Sequence, residues 1–343
     1  MTIVENGVKL KEGFSWRPGS IDDVPQAVAL FNACEQVMTG KQDFAISVTE
    51  LEWKSPGFDP QSDIRLVYSP EDKLVGYMEV WMTADPPVHP WVWGRVHPEY
   101  EGLGIATFLM AWAEEHAGKA IQRVPQEARV AMRSISISTH QPSIDLLAGF
   151  GMHRIRHSYQ MRITMQAAPA APQWPEGIQV RTYKPEDLEA VYRADDEAFQ
   201  DHFGYVAEPF ESGLARFKHF HVGDKDGFDP DLWFLAMDGD EIAGVSLCRK
   251  TAWDDKDIGW VSSLAVRRPW RKRGLGLALL QHSFLAFWAR GQTTVGLGVD
   301  ASNLTGALRL YERAGMHVHF ERNMYEKELR PGKDLSKVTL DDG

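Results

Sequence analysis

The chain has 343 residues, of which 43% are hydrophobic, so it is long enough for two domains with substantial cores. Its 37 basic and 48 acidic residues give a net charge of −11, which argues against general nucleic-acid binding, because that activity needs a basic surface. We find no secretory signal pattern and no apolar run of about 20 residues, so we expect no membrane segment.

The cysteines and histidines bear on the cellular compartment and on metal binding. Cys34 and Cys248 lie far apart and form no Cys-x-x-Cys pattern, which is typical of a reducing compartment and predicts a cytoplasmic location. The twelve histidines include no His-Glu-x-x-His sequence and no Cys/His cluster. We therefore expect no bound metal.

In the first half of the chain, helical and strand-like periodicities alternate. Residues 1–14 have little pattern and are expected to be a lead-in, and Ser20 or Asp22 can cap the first helix. The expected strands cover 15–18, 64–68, 74–82, 91–96, 130–138 and 152–165, and the expected helices cover 24–37, 49–54, 105–117 and 143–148.

Alanine and proline dominate residues 166–176, which predicts a semi-rigid linker. The pattern then restarts, with a hairpin expected around Asp238-Gly239-Asp240 and a polar, frayed tail at 331–343. The expected strands are 178–183, 232–237, 242–250, 259–266, 293–299 and 316–329, and the expected helices are 185–199, 210–220, 274–290 and 302–314.

Residues 264–280 combine a strand end, a basic turn and the start of a helix. Five of the seven residues from 267 to 273 are basic, in a chain that is acidic overall. Gly274 and Gly276 allow backbone amides to approach an anion closely, and a helix N-terminus carries partial positive charge. This combination predicts a pyrophosphate site.

The two halves repeat one order of elements, and residues 96–106 align without a gap on residues 266–276. The pattern Arg271-x-x-Gly274-x-Gly276 resembles the coenzyme A pyrophosphate loop of the GNAT superfamily of N-acetyltransferases, and the whole chain resembles two such domains in tandem. The resemblance implies an α/β fold class with α+β mixed sheets, each splayed near its middle to hold acetyl-coenzyme A.

The domain boundaries expected from this repeat are a degenerate N-terminal GNAT domain at 1–165, the linker at 166–176, a catalytic C-terminal GNAT domain at 177–330 and the tail at 331–343. The resemblance also implies the residues that bind the acetyl-coenzyme A cosubstrate: Leu264, Ala265, Val266, Arg271, Lys272, Arg273, Gly274, Leu275, Gly276, Leu277 and Asn303.

Asn303, Ala307, Tyr311 and Gly315 fall at intervals of four, so they lie close to one face of a helix. By resemblance, Tyr311 lies near the thioester sulfur and protonates the leaving thiolate. A phenol suits this role, because it keeps its proton at pH 7 and can share it with a developing thiolate. The alternative is an ordinary core tyrosine.

The first half lacks the matching residues. Glu101 stands where the second half has Arg271, and Leu147 and Thr139 stand in place of Tyr311 and Asn303. A carboxylate at about 4 Å from a phosphate charge costs about 4 kcal/mol at an effective dielectric near 20. We therefore expect the first domain to be catalytically silent, and either to bind the cosubstrate weakly or to serve only as a packing partner that shapes the substrate cleft.

The base that deprotonates the acceptor amine is less clear from the sequence. The family often places a carboxylate on the strand before the loop, where Asp257 is the nearest acid and Ser262 and Ser263 could orient water. His202, in the segment where the family builds its acceptor pocket, has a side-chain type suited to the same role, although a structural histidine is the alternative.

The expected function is acetyl transfer from acetyl-coenzyme A to a primary amine of a small molecule, directly and in the C-terminal domain. Tandem GNAT chains of this length resemble the mycothiol synthase type, in which the second domain is active. Open alternatives are an antibiotic, polyamine or protein N-acetyltransferase, and a non-catalytic acyl-coenzyme A sensor or scaffold. Expected partners are a small-molecule amine but neither nucleic acid nor membrane, and we expect a monomer or homodimer.

Overall fold

A computed structural model of the chain describes residues 4–5, 7–253, 255–301 and 307–337. The strands are β1 (Val4–Glu5), β2 (Val8–Lys9), β3 (Ser15–Pro18), β4 (Ile64–Tyr68), β5 (Leu74–Trp81), β6 (Trp91–Val96), β7 (Val130–Ile137), β8 (His153–Thr164), β9 (Ile178–Thr182), β10 (Phe228–Asp238), β11 (Glu241–Arg249), β12 (Gly259–Val266), β13 (Thr294–Asp300) and β14 (His317–Arg330). The helices are α1 (Val24–Thr39), α2 (Ile46–Trp53), α3 (Pro60–Asp63), α4 (Ile105–Gly118), α5 (Gln141–Gly149), α6 (Leu188–Phe199), α7 (Phe210–Phe217), α8 (Leu275–Ala289) and α9 (Ala307–Arg313).

The contacts divide the chain into two compact units that are not continuous in sequence. Unit 1 comprises Met1–Arg156 and Arg322–Leu335, and unit 2 comprises His157–Glu321 and Ser336–Gly343. Strands β8 and β14 therefore each contribute their second half to the unit that does not contain their first half. A linear division of the chain does not describe this exchange of strand ends.

The sheet of unit 1 has the strand order β3-β4-β5-β6-β7-β14, in which β14 pairs antiparallel with β7 from Arg322↔Ile137 to Arg330↔Val130. The sheet of unit 2 has the order β8-β13-β12-β11-β10-β9, in which β8 pairs antiparallel with β13. Within each sheet, β6–β7 and β12–β13 are parallel pairs, so both sheets are mixed, as the sequence predicts.

Both parallel pairs are short. Pairing of β12 with β13 ends at Val261↔Leu297, and pairing of β6 with β7 ends at Val92↔Ser134. The carboxyl-terminal part of β6 and of β12 is thus paired on one side only. This is the splay predicted for the sheet, and it occurs in both units.

Buried apolar residues cover both faces of each sheet. In unit 1 one core cluster packs around α4 and a second around α1 and α2. In unit 2 one cluster packs around α8 and a second around α6 and α7. Each unit thus has the two packed layers that a stable α/β sheet needs.

A matching ion pair opens the first long helix of each unit. Arg17 donates to both carboxylate oxygens of Asp23 at 2.7 and 2.5 Å, and Arg181 donates to both oxygens of Asp187 at 2.6 and 2.7 Å. These bidentate pairs support the internal repeat inferred from the sequence.

The predicted elements are confirmed in order, with one unpredicted short helix, α3, and three corrections. The lead-in contains a two-strand hairpin in which Val4 pairs with Lys9. Helix α7 ends at Phe217, and one π turn follows, closed by the Gly223 amide donating to Lys218 O at 2.9 Å. Periodicity alone cannot distinguish such a wider turn from a continuing α-helix.

The third correction concerns the tail, which is not frayed through residue 337. The Lys333 amide donates to Glu127 O at 2.7 Å, and the Lys333 carbonyl accepts from the Arg129 amide at 2.8 Å. Lys337 exchanges two such bonds with Gly204 and Tyr205, each of 2.8 Å. Backbone pairing, which a polar composition does not reveal, thus holds this segment. Among the described residues, no helix combines the length and apolar character needed to cross a lipid bilayer.

Candidate active site

In unit 2, β12 leads through a basic turn into α8. Gly274 caps α8 with φ +84°, a left-handed conformation that glycine adopts without strain. The Ala278 amide donates to Gly274 O at 3.1 Å, so the amides of Leu275, Gly276 and Leu277 precede the first hydrogen bond of the helix. These amides and the helix dipole form a site suited to an anion.

The cations of the turn divide into two groups. Lys272 and Arg273 are exposed. Arg271 instead binds the protein itself, donating to Val266 O at 3.0 Å, to the Asp201 carboxylate at 2.6 Å and to Ala198 O at 3.0 Å. Its guanidinium therefore fastens the turn to β12 and to the end of α6, whereas Lys272 and Arg273 remain exposed to solvent.

Asp201 is the partner of two arginines of the turn. Arg268 donates to both of its oxygens at 3.0 and 2.5 Å, and Arg271 donates to one of them. These hydrogen bonds, first that of Arg268 and then that of Arg271, hold the pKa of Asp201 well below its usual range. The carboxylate stays ionised at neutral pH and fixes the turn.

The open edge of β12 is the part of the strand after Val261, which has no pairing with β13 and runs up to this turn. Leu264 and Val266 pack on the α8 side, and Ala265 packs on the α6 side with 3% exposure. Beyond Val261 the backbone has no partner on β13, so it can accept an extended ligand that carries amide groups. The anion site at α8 lies at the end of this edge.

Tyr311 lies on α9, beside the start of α8. A Cβ built on Gly276 would lie 3.0 Å from Cδ1 of Leu310, so a glycine at this position lets α9 pack against the helix start. The Tyr311 side chain is 8% exposed within the apolar cluster around α8, and burial raises its pKa to about 12. Its phenol is therefore protonated at pH 7.

One polar pair in this region was not predicted. The Ser263 hydroxyl on β12 donates to Oδ1 of Asp195 on α6, and burial raises the pKa of Asp195 to about 6. Asp195 follows Val191 by four residues and so occupies the apolar face of an amphipathic helix. An acid on the apolar face of a helix is the sequence signal that could have identified it.

The base candidates from the sequence are placed differently. His202 is half-buried beside Phe199, with ring centroids 4.4 Å apart, and burial and then the charge of Arg271 lower its pKa. Asp257 is exposed before β12, where its amide donates to Asp255 Oδ1 at 3.1 Å. Asp257 precedes β12, and at about 3.3 Å per residue the strand from Gly259 to Ser263 alone spans about 13 Å, so the structure does not bring Asp257 to the turn. Asn303 lies outside the described residues.

Unit 1 has the same strand, turn and glycine-capped helix, but an acidic residue, Glu101, stands where unit 2 has Arg271. Helix α4 is also capped by a left-handed glycine, Gly104 at φ +80°. Between β6 and β7 lies a cleft of about 470 Å³, lined mostly by apolar side chains and also by Arg95, Glu101 and His140. Glu101 Oε1 lies 3.9 Å from His140 Nε2, and Leu147 is buried where unit 2 has its tyrosine.

Known proteins resemble the chain along most of its length. The model of the Acetyltransferase (GNAT) family matches residues 27–137 and 188–316. The mycothiol acetyltransferase of Thermobispora bispora is 32% identical over 255 residues, which cover 71% of this chain and 77% of that protein. That of Streptomyces scabiei is 30% identical over 275 residues, covering 78% and 82%.

Solved structures show the same similarity in three dimensions. A GCN5-related N-acetyltransferase from Sphaerobacter thermophilus has a TM-score of 0.78 and 35% identity, covering 95% of this chain and 98% of that one. A tandem GNAT protein from the clavulanic acid biosynthesis pathway, 16% identical, has a TM-score of 0.68 and covers 93% and 100%, which shows a common fold. The chain therefore belongs to the GNAT family of acetyltransferases and carries two copies of the family's domain.

Proposed function

We propose that the chain transfers an acetyl group from acetyl-coenzyme A to a primary amine of a small molecule, and that unit 2 performs the reaction. The observation that carries this assignment is one arrangement in unit 2. Free amides at the start of α8, with exposed Lys272 and Arg273, lie at the end of the open edge of β12, and Tyr311 is buried nearby.

The cosubstrate pyrophosphate binds at the amides of Leu275, Gly276 and Leu277, with Lys272 and Arg273 contributing charge. Arg271 contributes indirectly, because its three hydrogen bonds hold the turn in place. The pantetheine arm extends along the open backbone of β12. Unit 1 presents Glu101 at the corresponding turn, so its cleft does not favour a pyrophosphate.

In direct transfer, the neutral amine attacks the thioester carbonyl, a carbon–nitrogen bond forms and the carbon–sulfur bond breaks. The Tyr311 phenol gives its proton to the departing sulfur, and a proton from the attacking nitrogen replaces it through solvent. Burial suits Tyr311 for this task, since it keeps the phenol neutral until negative charge develops on sulfur.

We assign the compound that accepts the acetyl group only to a chemical class, small-molecule amines. The relatives named mycothiol acetyltransferases favour a small-molecule amine, and this is the group of compounds to test first, followed by polyamines and aminoglycosides. Two free, buried cysteines, Cys34 and Cys248, support a cytoplasmic location. A monomeric or homodimeric enzyme stays a prediction.

The assignment to unit 2 is tested by a matched pair of variants. Gly276→Trp and Ala106→Trp each place an indole at the second residue of the helix that follows a glycine cap. Calorimetry with acetyl-coenzyme A should show binding lost in Gly276→Trp and unchanged in Ala106→Trp. Melting temperatures close to wild type verify that both variants fold. Loss of binding only in Ala106→Trp would move the active site to unit 1.

A further inference from the structure

Half-buried Asp195 and buried Ser263 form a polar pair beside an apolar layer of unit 2. Ser263 is 6% exposed and follows Val261, the last residue of β12 that pairs with β13, by two positions. Its hydroxyl donates to Asp195. The surrounding buried residues are apolar: Val191, Tyr192, Ala194, Ala198, Leu247 and Ala265. Placing a carboxylate here costs folding free energy unless it is compensated.

Unit 1 shows that the fold does not require this pair. Phe31 follows Asp23 by eight residues as Asp195 follows Asp187, and Trp93 precedes Val96 by three as Ser263 precedes Val266. The rings of Phe31 and Trp93 meet edge to face, with centroids 5.0 Å apart. Two aromatic rings thus fill in unit 1 the place that a carboxylate and a hydroxyl fill in unit 2.

We propose that Asp195 accepts the proton that the acceptor ammonium must lose before it attacks, and that Ser263 positions this carboxylate. The inference rests on the proposed function of unit 2. One proton passes from the acceptor nitrogen to Asp195 and then to solvent, which leaves the lone pair free. The nitrogen gives up its second proton after attack, and that proton balances the one taken up by the thiolate.

The location favours Asp195 over His202. The charges that act on His202 are those of Arg271 in the basic turn, of Asp201, which binds that turn, and of Asp300 at the end of β13. Ser263 lies three residues before Val266, about 10 Å farther along the open edge toward the point where the two strands part. In the proposed binding mode, in which the cosubstrate follows this edge from the anion site, its reacting end lies toward that part of the strand.

The electrostatic environment suits a base that works near neutral pH. Burial raises the pKa of Asp195 to about 6, the hydrogen bond from Ser263 lowers it, and the charge of Asp196 raises it. Tyr192 on α6 is influenced by Asp195, by Asp196 and by the Glu208–Arg216 pair near α7. Tyr183 and His221 are further titratable groups packed in the same layer. A carboxylate with such a pKa is ionised at pH 7 and still binds a proton.

The test measures kcat/KM for the best acceptor amine between about pH 5 and about pH 9, a range that includes the raised pKa of Asp195 of about 6 but not the ordinary carboxyl pKa. Asp195→Asn should lose about 10²–10⁴-fold in rate and lose the acidic limb of the profile. Asp196→Asn, which changes a neighbour bonded to Tyr205, should keep that limb but move it to lower pH, because the charge of Asp196 raises the pKa of Asp195. Ser263→Ala removes a bond that stabilises the carboxylate, so its limb should move to higher pH, and Ser263→Thr should restore it.

Calorimetry with acetyl-coenzyme A, together with these rates, separates the role proposed for Asp195 from the function proposed for unit 2. If Asp195→Asn binds the cosubstrate and retains wild-type rate and pH profile, the inference is overturned while the proposed function stands. If wild type binds the cosubstrate and acetylates no amine, the proposed function fails. A lower melting temperature with an unmoved limb in Asp195→Asn and Ser263→Ala indicates a structural role and also overturns the inference. If Asp195→Asn does not fold, the direction in which the limb of Ser263→Ala moves decides.

Discussion

Tyr311 is the residue whose chemistry can be separated most cleanly from its packing. Tyr311→Phe keeps the buried ring, so the melting temperature and the affinity for acetyl-coenzyme A should stay close to wild type. The variant loses the transferable proton, so kcat should fall by about 10²–10⁴-fold, measured as coenzyme A release with a saturating amine.

Tyr325→Phe is the matched control, because Tyr325 is also buried, at 6% exposure, but belongs to unit 1. It should leave kcat unchanged. If Tyr311→Phe turns over at the wild-type rate, the thiolate leaves unassisted or takes its proton from another group. A large loss of melting temperature in Tyr311→Phe would instead indicate a tyrosine that holds its helix in place.

At the scale of the element, the ion pairs of Asp201 are expected to hold the basic turn against α6. Asp201→Asn should lower the free energy of unfolding by about 1–2 kcal/mol at pH 7 and weaken acetyl-coenzyme A binding, because the turn that presents the amides loosens. Since the pKa of Asp201 is lowered in the fold, its contribution is complete above the ordinary carboxyl pKa of about 4 and is lost below it.

Urea unfolding of wild type and Asp201→Asn should therefore differ at pH 7 and converge as the pH falls below about 4. Asp229→Asn is the control, because Asp229 pairs with Arg290 at a more exposed site, where ion pairs contribute little. Equal effects of the two substitutions at pH 7 would contradict a special role for the turn.

The strands and helices were largely predictable, since each has a periodic apolar face and a cap or a turn beside it. The strand Gly259–Val266 and the helix Leu275–Ala289 follow from local sequence for that reason. The pairing of Arg271 with Asp201 was not predictable, because it joins residues 70 positions apart. Sequence alone shows a basic turn, and only the fold reveals which of its cations are already bound.

At the scale of the whole molecule, the exchange of strand ends makes each unit dependent on both halves of the chain. A fragment of residues 1–165 lacks Arg322–Arg330, so β7 loses its antiparallel partner and Arg133 loses Glu326, 2.9 Å away. We expect this fragment to show no cooperative thermal transition. The same fragment joined by a flexible linker to residues 316–337 should regain one, measured by circular dichroism.

A fragment 1–165 that unfolds cooperatively would indicate that β14 is dispensable for unit 1. The linked fragment is needed as a control, because any truncated chain can lose solubility for reasons unrelated to the missing strand β14. Recovery by the linked segment, and by no scrambled version of it, ties the effect to pairing with β7.

The strand exchange also affects the order in which the molecule is completed during synthesis. Arg133 and Glu326 lie 193 residues apart, so the contact order of unit 1 is high, and its sheet closes slowly. At about 5–20 residues per second, a ribosome needs on the order of ten seconds or more to make the residues between β7 and its partner. Throughout that interval β7 is an open edge that neighbouring nascent chains can capture. The yield of native enzyme should therefore depend on chaperones and on translation speed.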